Sequence, residues 1–428
     1  MNNKIKILDV NGLTLIYQRV NTNKMFAFYP YFNTGAITET DENSGITHFL
    51  EHMLAKETKT KDAKTMFGYL QKYFPLYNAS TGNEKMKVNC YSSLKNIEIG
   101  FEFFSDFLIN GVFNDERVNQ EKKVIEQEII TYEADNETVA FENFFKKALN
   151  YPFTKNGILG DRNNVLKTTG KDLEKRYKEL ACKENMVFSF AGDVDLETVK
   201  NLLEKYFSKL PHNSKIEPPI LEINGKEQVS IIKREAERCN IFLGFKLNNF
   251  SITNPRQQIM RTILVNYLER QGGPLWNKLR EDKGLVYSYS ISAQKANNVA
   301  FILYDFKTYK QNIKECITAF ADVLKDIYNN GISKEDFNTI IDNFNMLYDS
   351  NIDEPRKIAT SNATQYLKGG PILTSDEENE IYNSIDYNEF CEYIKSIIYS
   401  DFISLSAVGN VDYSDIFTIE ELKNMFKN

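Results

Sequence analysis

Histidine is scarce: the 428-residue chain holds three, at positions 48, 52 and 212. Any imidazole chemistry therefore rests on very few positions. Cysteine is sparse and scattered. Five occur, at positions 90, 182, 239, 316 and 391, an odd number with no zinc-finger or dithiol spacing. Each reads as a small buried hydrophobe rather than a nucleophile, and a reduced, cytoplasmic setting is expected. Positive charge is not in excess, the formal net charge being -7. Nucleic acid is thereby disfavoured as a partner, because binding phosphates needs a basic stripe. No stretch approaches the roughly 20 apolar residues that span a bilayer, so no membrane partner is expected. The N-terminal MNNKIKILDVNGLTLIYQRV lacks an apolar segment with a cleavage site, and residues 4–20 read as a strand. What is present is a globular composition, 42% hydrophobic and 13% aromatic, in a chain long enough for two or more domains.

An internal repeat gives the first sign of organisation. Residues 187–195 read VFSFAGDVD and residues 404–412 read SLSAVGNVD. Each is an apolar strand ending in Gly-(Asp/Asn)-Val-Asp, and an amphipathic helix follows each. The offset from Gly192 to Gly409 is about half the chain, so two copies of one domain are expected. Residues 209–222, KLPHNSKIEPPILE, carry Pro211, Pro218 and Pro219 in a polar setting and read as the linker between them.

Periodicity predicts strands at 4–20, 26–36, 77–81 and 85–92 in the first half. Helices are predicted from Ser44, a good N-cap, and over 62–74, 94–110 and 115–149. The second half repeats this sense: strands near 227–246 and 285–306, with helices from 255 and over 309–330 and 333–368. Strands followed by helices within each half point to an α+β class, with antiparallel-rich sheets covered by helices.

Two of the three histidines lie four apart in SGITHFLEHMLAKE. A helix brings positions i and i+4 to one face, about 5–6 Å apart at Cβ, which suits two imidazoles on one Zn²⁺. Glu51, three residues after His48, can reach a water on such a metal and act as general base. The order His-x-x-Glu-His is an inverted form of the commoner zinc peptidase motif. The bland alternative is an amphipathic helix with incidental histidines and Ile46, Phe49, Leu50, Met53 and Leu54 on its apolar side. A catalytic zinc needs a third protein ligand. His212 falls in the linker, so a carboxylate is expected. In EKKVIEQEIITY (121–132), Glu121, Val124, Ile125, Glu128 and Tyr132 share one helical stripe, whereas Glu126 and Glu133 face elsewhere. A Glu on an apolar stripe costs free energy unless it is paired or binds a metal. Periodicity leaves Glu121 and Glu128 both open as ligands, and a solvated edge of the stripe open as well.

With HFLEH at 48–52 and a glutamate 76 residues beyond it, the chain resembles the pitrilysin/insulysin family, which includes the mitochondrial processing peptidases. The resemblance runs over nearly the whole chain. It selects Glu128 as the third ligand and implies that Glu121 supports the site from behind the ligands. The stretch Asn78-Ala79-Ser80-Thr81 is similar to the family's edge-strand segment, which pairs with the substrate backbone; Asn78 and Ala79 are the implied substrate contacts. PLWNKLREDKGLVYS (274–288) is similar to the family's Arg…Gly-Leu-x-Tyr element and implies substrate contacts for Arg280 and Tyr287. Residues 261–270, RTILVNYLER, stand where the second copy would carry HFLEH and contain no histidine. Two departures occur. Ala55-Lys56-Glu57-Thr58 stands where the family often has Gly-Thr, and Gln127-Glu128 stands where it has Glu-Glu.

The resemblance thus implies a catalytic, zinc-binding domain over 1–212 and a homologous domain over 213–428 without metal ligands. It implies a zinc endopeptidase in which Glu51 activates water and Arg280 and Tyr287 steady the peptide or the oxyanion. Relatives enclose substrate between two facing halves, so a homodimer taking peptides or small unfolded chains is expected, with a heterodimer as the alternative. A peptidase dedicated to one precursor or leader peptide, and a non-catalytic partner subunit, are the competing readings.

Overall fold

A computed structural model of the chain describes residues 4–21, 24–149, 157–223, 227–248, 251–296, 298–351, 354–400 and 402–426. Two compact units are distinguished, and neither is contiguous in sequence. The first comprises residues 1–129, 156–219 and 350–377; the second comprises 130–155, 220–349 and 378–428.

The first unit is built on six strands: β1 (Lys6–Val10), β2 (Leu13–Arg19), β3 (Met25–Phe32), β4 (Asn78–Thr81), β5 (Met86–Ser93) and β6 (Met186–Gly192). Their order is β1-β2-β6-β3-β5-β4, with β2 and β6 parallel and all other neighbours antiparallel. The strand expected over 4–20 is in fact a hairpin. Asn11 and Gly12 take φ values of 53° and 84°, the two-residue Asn-Gly turn whose twist matches that of paired strands. Alternation along β3 and β6 sends Phe26, Phe28, Phe188 and Phe190 to one face of the sheet. There they pack with Phe101 of the helix Ile97–Asn110 and Phe207 of the helix Leu196–Phe207. The Phe28 and Phe101 rings stack at 4.1 Å. Tyr29, Tyr31 and Ala191 face the other way, against Ile358, Ala359 and Ala363 of the helix Pro355–Leu367. Two bonds pin that helix: Ser189 Oγ donates to the Ala359 carbonyl at 2.8 Å, and Asn362 Nδ2 donates to Gln18 Oε1 at 2.9 Å.

The second unit has five strands, β7 (Val229–Lys233), β8 (Cys239–Lys246), β9 (Val286–Ala296), β10 (Val299–Thr308) and β11 (Ile403–Gly409), in the order β7-β11-β8-β10-β9. Here β7 and β11 are the parallel pair. The sequence repeat is thereby explained: β6 and β11 each end at its glycine, and among the described residues each forms the one parallel pairing of its sheet. The helix Asn136–Ala148 lies on this sheet. Asn143 Nδ2 donates to Ser230 and Ser406 at 2.9 Å each, and Phe144 packs on Phe301 at 5.5 Å.

The single helix expected over 115–149 is two. Asp135 accepts a bond from the Thr138 amide at 2.9 Å and starts a new helix after Asp115–Ala134. Likewise 333–368 divides into Lys334–Asn351 and Pro355–Leu367, the latter opened by Pro355 at its first turn and capped by Glu354. Each unit therefore takes one helix from the opposite half of the sequence, which a repeat read from strand ends cannot reveal. The α+β architecture with two related, antiparallel-rich sheets is as expected.

Candidate active site

The helix Ile46–Leu54 presents both motif histidines. Its apolar side, Ile46, Phe49, Leu50, Met53 and Leu54, is buried in the core of the first unit. The start of the helix differs from expectation. Ser44 is not its cap; its Oγ accepts from the Asp161 amide at 3.0 Å. Gly45 takes the cap position at φ 91°, and a Cβ there would lie 2.4 Å from the Leu159 carbonyl oxygen, so only glycine fits. The first amides are satisfied by Glu39, which is 4% exposed. Its two carboxylate oxygens accept from the Gly45 and Thr47 amides at 2.7 Å each. A carboxylate there also meets the positive end of the helix dipole. Arg176 completes the support, donating to Thr47 Oγ1 at 3.1 Å and to Thr38 Oγ1 at 2.7 Å.

On the side of this helix away from the core, over one turn from His48 to His52, three donor atoms converge. His48 Nε2 lies 3.8 Å and His52 Nε2 lies 3.4 Å from Glu128 Oε2. All three lie within 4.8 Å of one another. Ligands about 2.1 Å from a tetrahedral zinc stand about 3.4 Å apart, so these spacings fit such an ion. The tautomer fits as well. His52 Nδ1 donates to Glu121 Oε1 at 2.8 Å, which leaves the lone pair of Nε2 facing Glu128. Burial and the neighbouring His52 lower the pKa of His48 to about 3, so it is neutral at pH 7, the form that can ligate. Burial also pulls His52 down, but Glu121, Glu128 and Glu51 outweigh it and raise the pKa. Glu121 in turn is desolvated, yet its bonds to His52 and to Lys56, at 3.0 Å from Lys56 Nζ, hold it below the usual carboxylate range.

The carboxylates sit on the helix Asp115–Ala134. Its buried stripe is Val118, Glu121, Ile125 and Ile129, while Val124 and Tyr132 are exposed. The stripe drawn from sequence was thus rotated by part of a turn. Its two glutamates nevertheless differ in exposure and partners. The Glu121 side chain is 11% exposed behind His52, and that of Glu128 is 43% exposed in front of both histidines. Glu126 turns away to Arg162.

Glu51 stands beside this cluster. Thr81 Oγ1 donates to its Oε2 at 2.7 Å. Burial raises the Glu51 pKa and the charge of Glu128 adds to this, against the Thr81 bond and His52. Thr81 ends β4, which among the described residues pairs only with β5 and forms one edge of the sheet. Asn78 and Ala79 lie on that strand, and Ala79 joins Glu51, His52, Phe67, Leu70 and Tyr77 around a hollow of about 420 Å³. Arg280 and Tyr287 belong to the second unit. Arg280 lies in a π-helical turn, Asn277–Glu281, over the Trp276 ring at 4.6 Å. Tyr287 is in β9, 65% exposed, with Arg238 stacked on it at 4.9 Å. His212 is apart from the site, bonded to Glu184 at 2.7 Å. Sequence reading missed Glu39, Thr81 and Lys56. Thr81 had a signal, since it points to the same side of its strand as Ala79; Glu39 had none.

Comparison with known proteins identifies the family. The family described as Insulinase (Peptidase family M16) matches residues 16–162, and the Peptidase M16 inactive domain matches residues 167–344. An uncharacterized zinc protease, YmxG, of Bacillus subtilis is 25% identical over 76% of this chain and 79% of its own length. A probable mitochondrial-processing peptidase subunit beta of Arabidopsis thaliana is 28% identical over 47% of this chain and 38% of its own length. The fold is shared with a protease from Helicobacter pylori, at a TM-score of 0.86 and 17% identity, covering 95% of this chain and 99% of that one. It is shared too with the periplasmic protease PqqL of Escherichia coli, at a TM-score of 0.80 and 18% identity, covering all of this chain but 50% of that one. Among the described residues no helix is long and apolar enough to cross a membrane. With both parts of the chain matched in order, the protein belongs to peptidase family M16, the pitrilysin/insulysin family of zinc metallopeptidases.

Proposed function

We propose that the chain is a zinc endopeptidase that cuts peptides or small unfolded polypeptides, with His48, His52 and Glu128 holding the metal and Glu51 as the base. The observation that carries this reading is the convergence of three donors within 4.8 Å of one another beside a buried carboxylate. Zinc, when bound, supplies a Lewis acid that polarises a carbonyl and acidifies a water to a pKa of about 7. Glu121 takes the Nδ1 proton bond of His52 and so fixes the ring for ligation, and Lys56 balances its charge. Glu51, oriented by Thr81, takes the proton of the attacking water and returns it to the leaving amine. A raised pKa suits a group that must both accept and release that proton. An extended substrate adds to the free edge of β4, where Asn78 and Ala79 offer main-chain bonds that select little by side chain. Arg280 and Tyr287 are the further substrate contacts that the resemblance implies.

Zinc content and cleavage of a quenched peptide test this reading together. His48→Ala and His52→Ala should lose both. Glu51→Gln should keep stoichiometric zinc and lose cleavage by at least about a hundredfold, the usual worth of a general base. Cleavage by Glu51→Gln at the parent rate refutes the mechanism.

The working unit is proposed to be a homodimer enclosing its substrate, with a heterodimer as the alternative. The chain matches half of PqqL, and the edge of β4 is a strand edge that a lone copy would leave open. Sedimentation would show a dimer, and a folded protein offered beside a short peptide should survive. A cytoplasmic setting is proposed from the five free cysteines. A single precursor or leader peptide is the alternative substrate, for which the name of the processing peptidase relative speaks.

A further inference from the structure

Beyond the metal cluster, the sheet edge carries a second feature. Directly opposed residues of paired strands share a face. In β4 and β5, Asn78 is opposite Asn89 and Ser80 is opposite Lys87, and Lys87 is opposite Tyr31 of β3. Ser80 and Lys87 therefore lie on the face away from Ala79 and Thr81, that is, away from Glu51, whereas Asn78, at the start of β4, borders the hollow beside Glu51. The helix Pro355–Leu367 covers that face over β2, β6 and β3. Its β5–β4 end is a polar shelf carrying Ser80, Asn89 and Lys87.

Lys87 is the odd group on the shelf. It is partly buried, and burial depresses its pKa. Among the described residues no carboxylate pairs with it. An ammonium held partly out of water without a counter-charge is costly and calls for an anion. The mechanism above makes no use of it.

We infer that Lys87 selects substrates, favouring an acidic side chain on the peptide residue that pairs with Ser80. This rests on the reading of β4 as the strand to which substrate adds. A peptide added there lies one strand spacing, about 4.8 Å, outside β4 and two spacings from β5. The residue opposite Ser80 must point to the Ser80 face, because alternation fixes it. Serine is short, so the four-carbon stem of Lys87 passes over it to meet a carboxylate. The neighbouring substrate residues point to the Glu51 face and do not meet this charge. The preference should therefore be strongest at the position opposite Ser80 and absent at its two immediate neighbours, rather than being a general attraction for acidic peptides.

The test uses the full-length zinc-loaded enzyme and quenched peptides that differ only by Glu or Gln, scanned through each position around the cleaved bond. The parent should prefer Glu at one position by about fivefold in kcat/KM, the upper range for a partly screened pair. Lys87→Gln should abolish that ratio while leaving the Gln peptide within about twofold of the parent rate. Lys87→Glu should reverse the ratio when Lys replaces Glu in the peptide. A ratio unchanged in Lys87→Gln, or an equal fall for both peptides, overturns the inference while leaving the peptidase reading intact. A zinc-loaded parent that cuts none of the peptides overturns both. Lys87→Met, which keeps the stem and removes the charge, should match Lys87→Gln; if it retains the preference, charge is not the cause.

Discussion

Removing the carboxylate of Glu39 should loosen the helix that carries His48 and His52 at its root. Glu39 accepts two amide bonds of 2.7 Å at the start of that helix and is almost fully buried. Bonds to a charged group contribute about 1.5–3 kcal/mol each, and a buried amide left without an acceptor costs about 1–3 kcal/mol. Glu39→Gln keeps one oxygen and turns an NH₂ toward the other amide, so it should cost about 2 kcal/mol. Glu39→Ala frees both amides and also deprives Arg176 of a nearby counter-charge, so about 4 kcal/mol is expected. For a unit of this size 1 kcal/mol moves Tm by about 2–4 °C, which gives falls of roughly 6 and 12 °C. Differential scanning calorimetry at constant zinc, followed by zinc titration of each variant, would measure both consequences. Zinc should bind more weakly in the order parent, Gln, Ala, since His48 follows Thr47 directly. Should Glu39→Gln melt within 1 °C of the parent, Glu39 is not the cap that holds the helix and this reasoning fails.

Three further outcomes are expected at other places in the two units. Glu121→Gln should weaken zinc about 10- to 100-fold in a competition assay with a chromogenic chelator, because it loosens His52 without removing a ligand; an unchanged affinity would separate Glu121 from the site. Asp305 is half-buried in β10, accepts a bond from Ser290, and has its pKa pushed up to about 6, chiefly by burial. An acid whose folded pKa is raised is stable when protonated. The parent should therefore lose stability relative to Asp305→Asn as pH rises from about 4 to 6, by about 2 kcal/mol after screening, and urea unfolding at pH 4 and 8 would read the widening gap. Gly244 of β8 has no room for a side chain, since a Cβ would lie 2.4 Å from the Phe144 ring and 2.5 Å from Leu303. Gly244→Ala should cost about 1–3 kcal/mol by chemical denaturation; a neutral result would deny that the helix Asn136–Ala148 packs on this sheet.

The sequence by itself determined the elements that depend on local order. The His-x-x-Glu-His spacing needs only a helix to align two imidazoles, and periodicity supplied that helix. The repeat around Gly192 and Gly409 announced two related sheets, because each glycine ends a strand in the same place. Alternation over 26–36 and 85–92 foretold the strands of the core. Other matters depended on groups far apart in the chain. The parting of Glu121 from Glu128 was not legible, because both lie within the same helical arc and only the packed core decides which is covered. Glu39 was invisible as a cap: it reaches the helix from outside the usual cap position, and a folded loop carries it there. The exchange of helices between the two halves was hidden for a like reason. Asp135 and Pro355 break their helices locally, but which sheet receives Asn136–Ala148 or Pro355–Leu367 is settled by tertiary packing, by Phe144 against Phe301 and Ala359 against Ser189. Local sequence fixes direction and period, whereas burial and long-range hydrogen bonding choose partners, and those are properties of the folded chain alone.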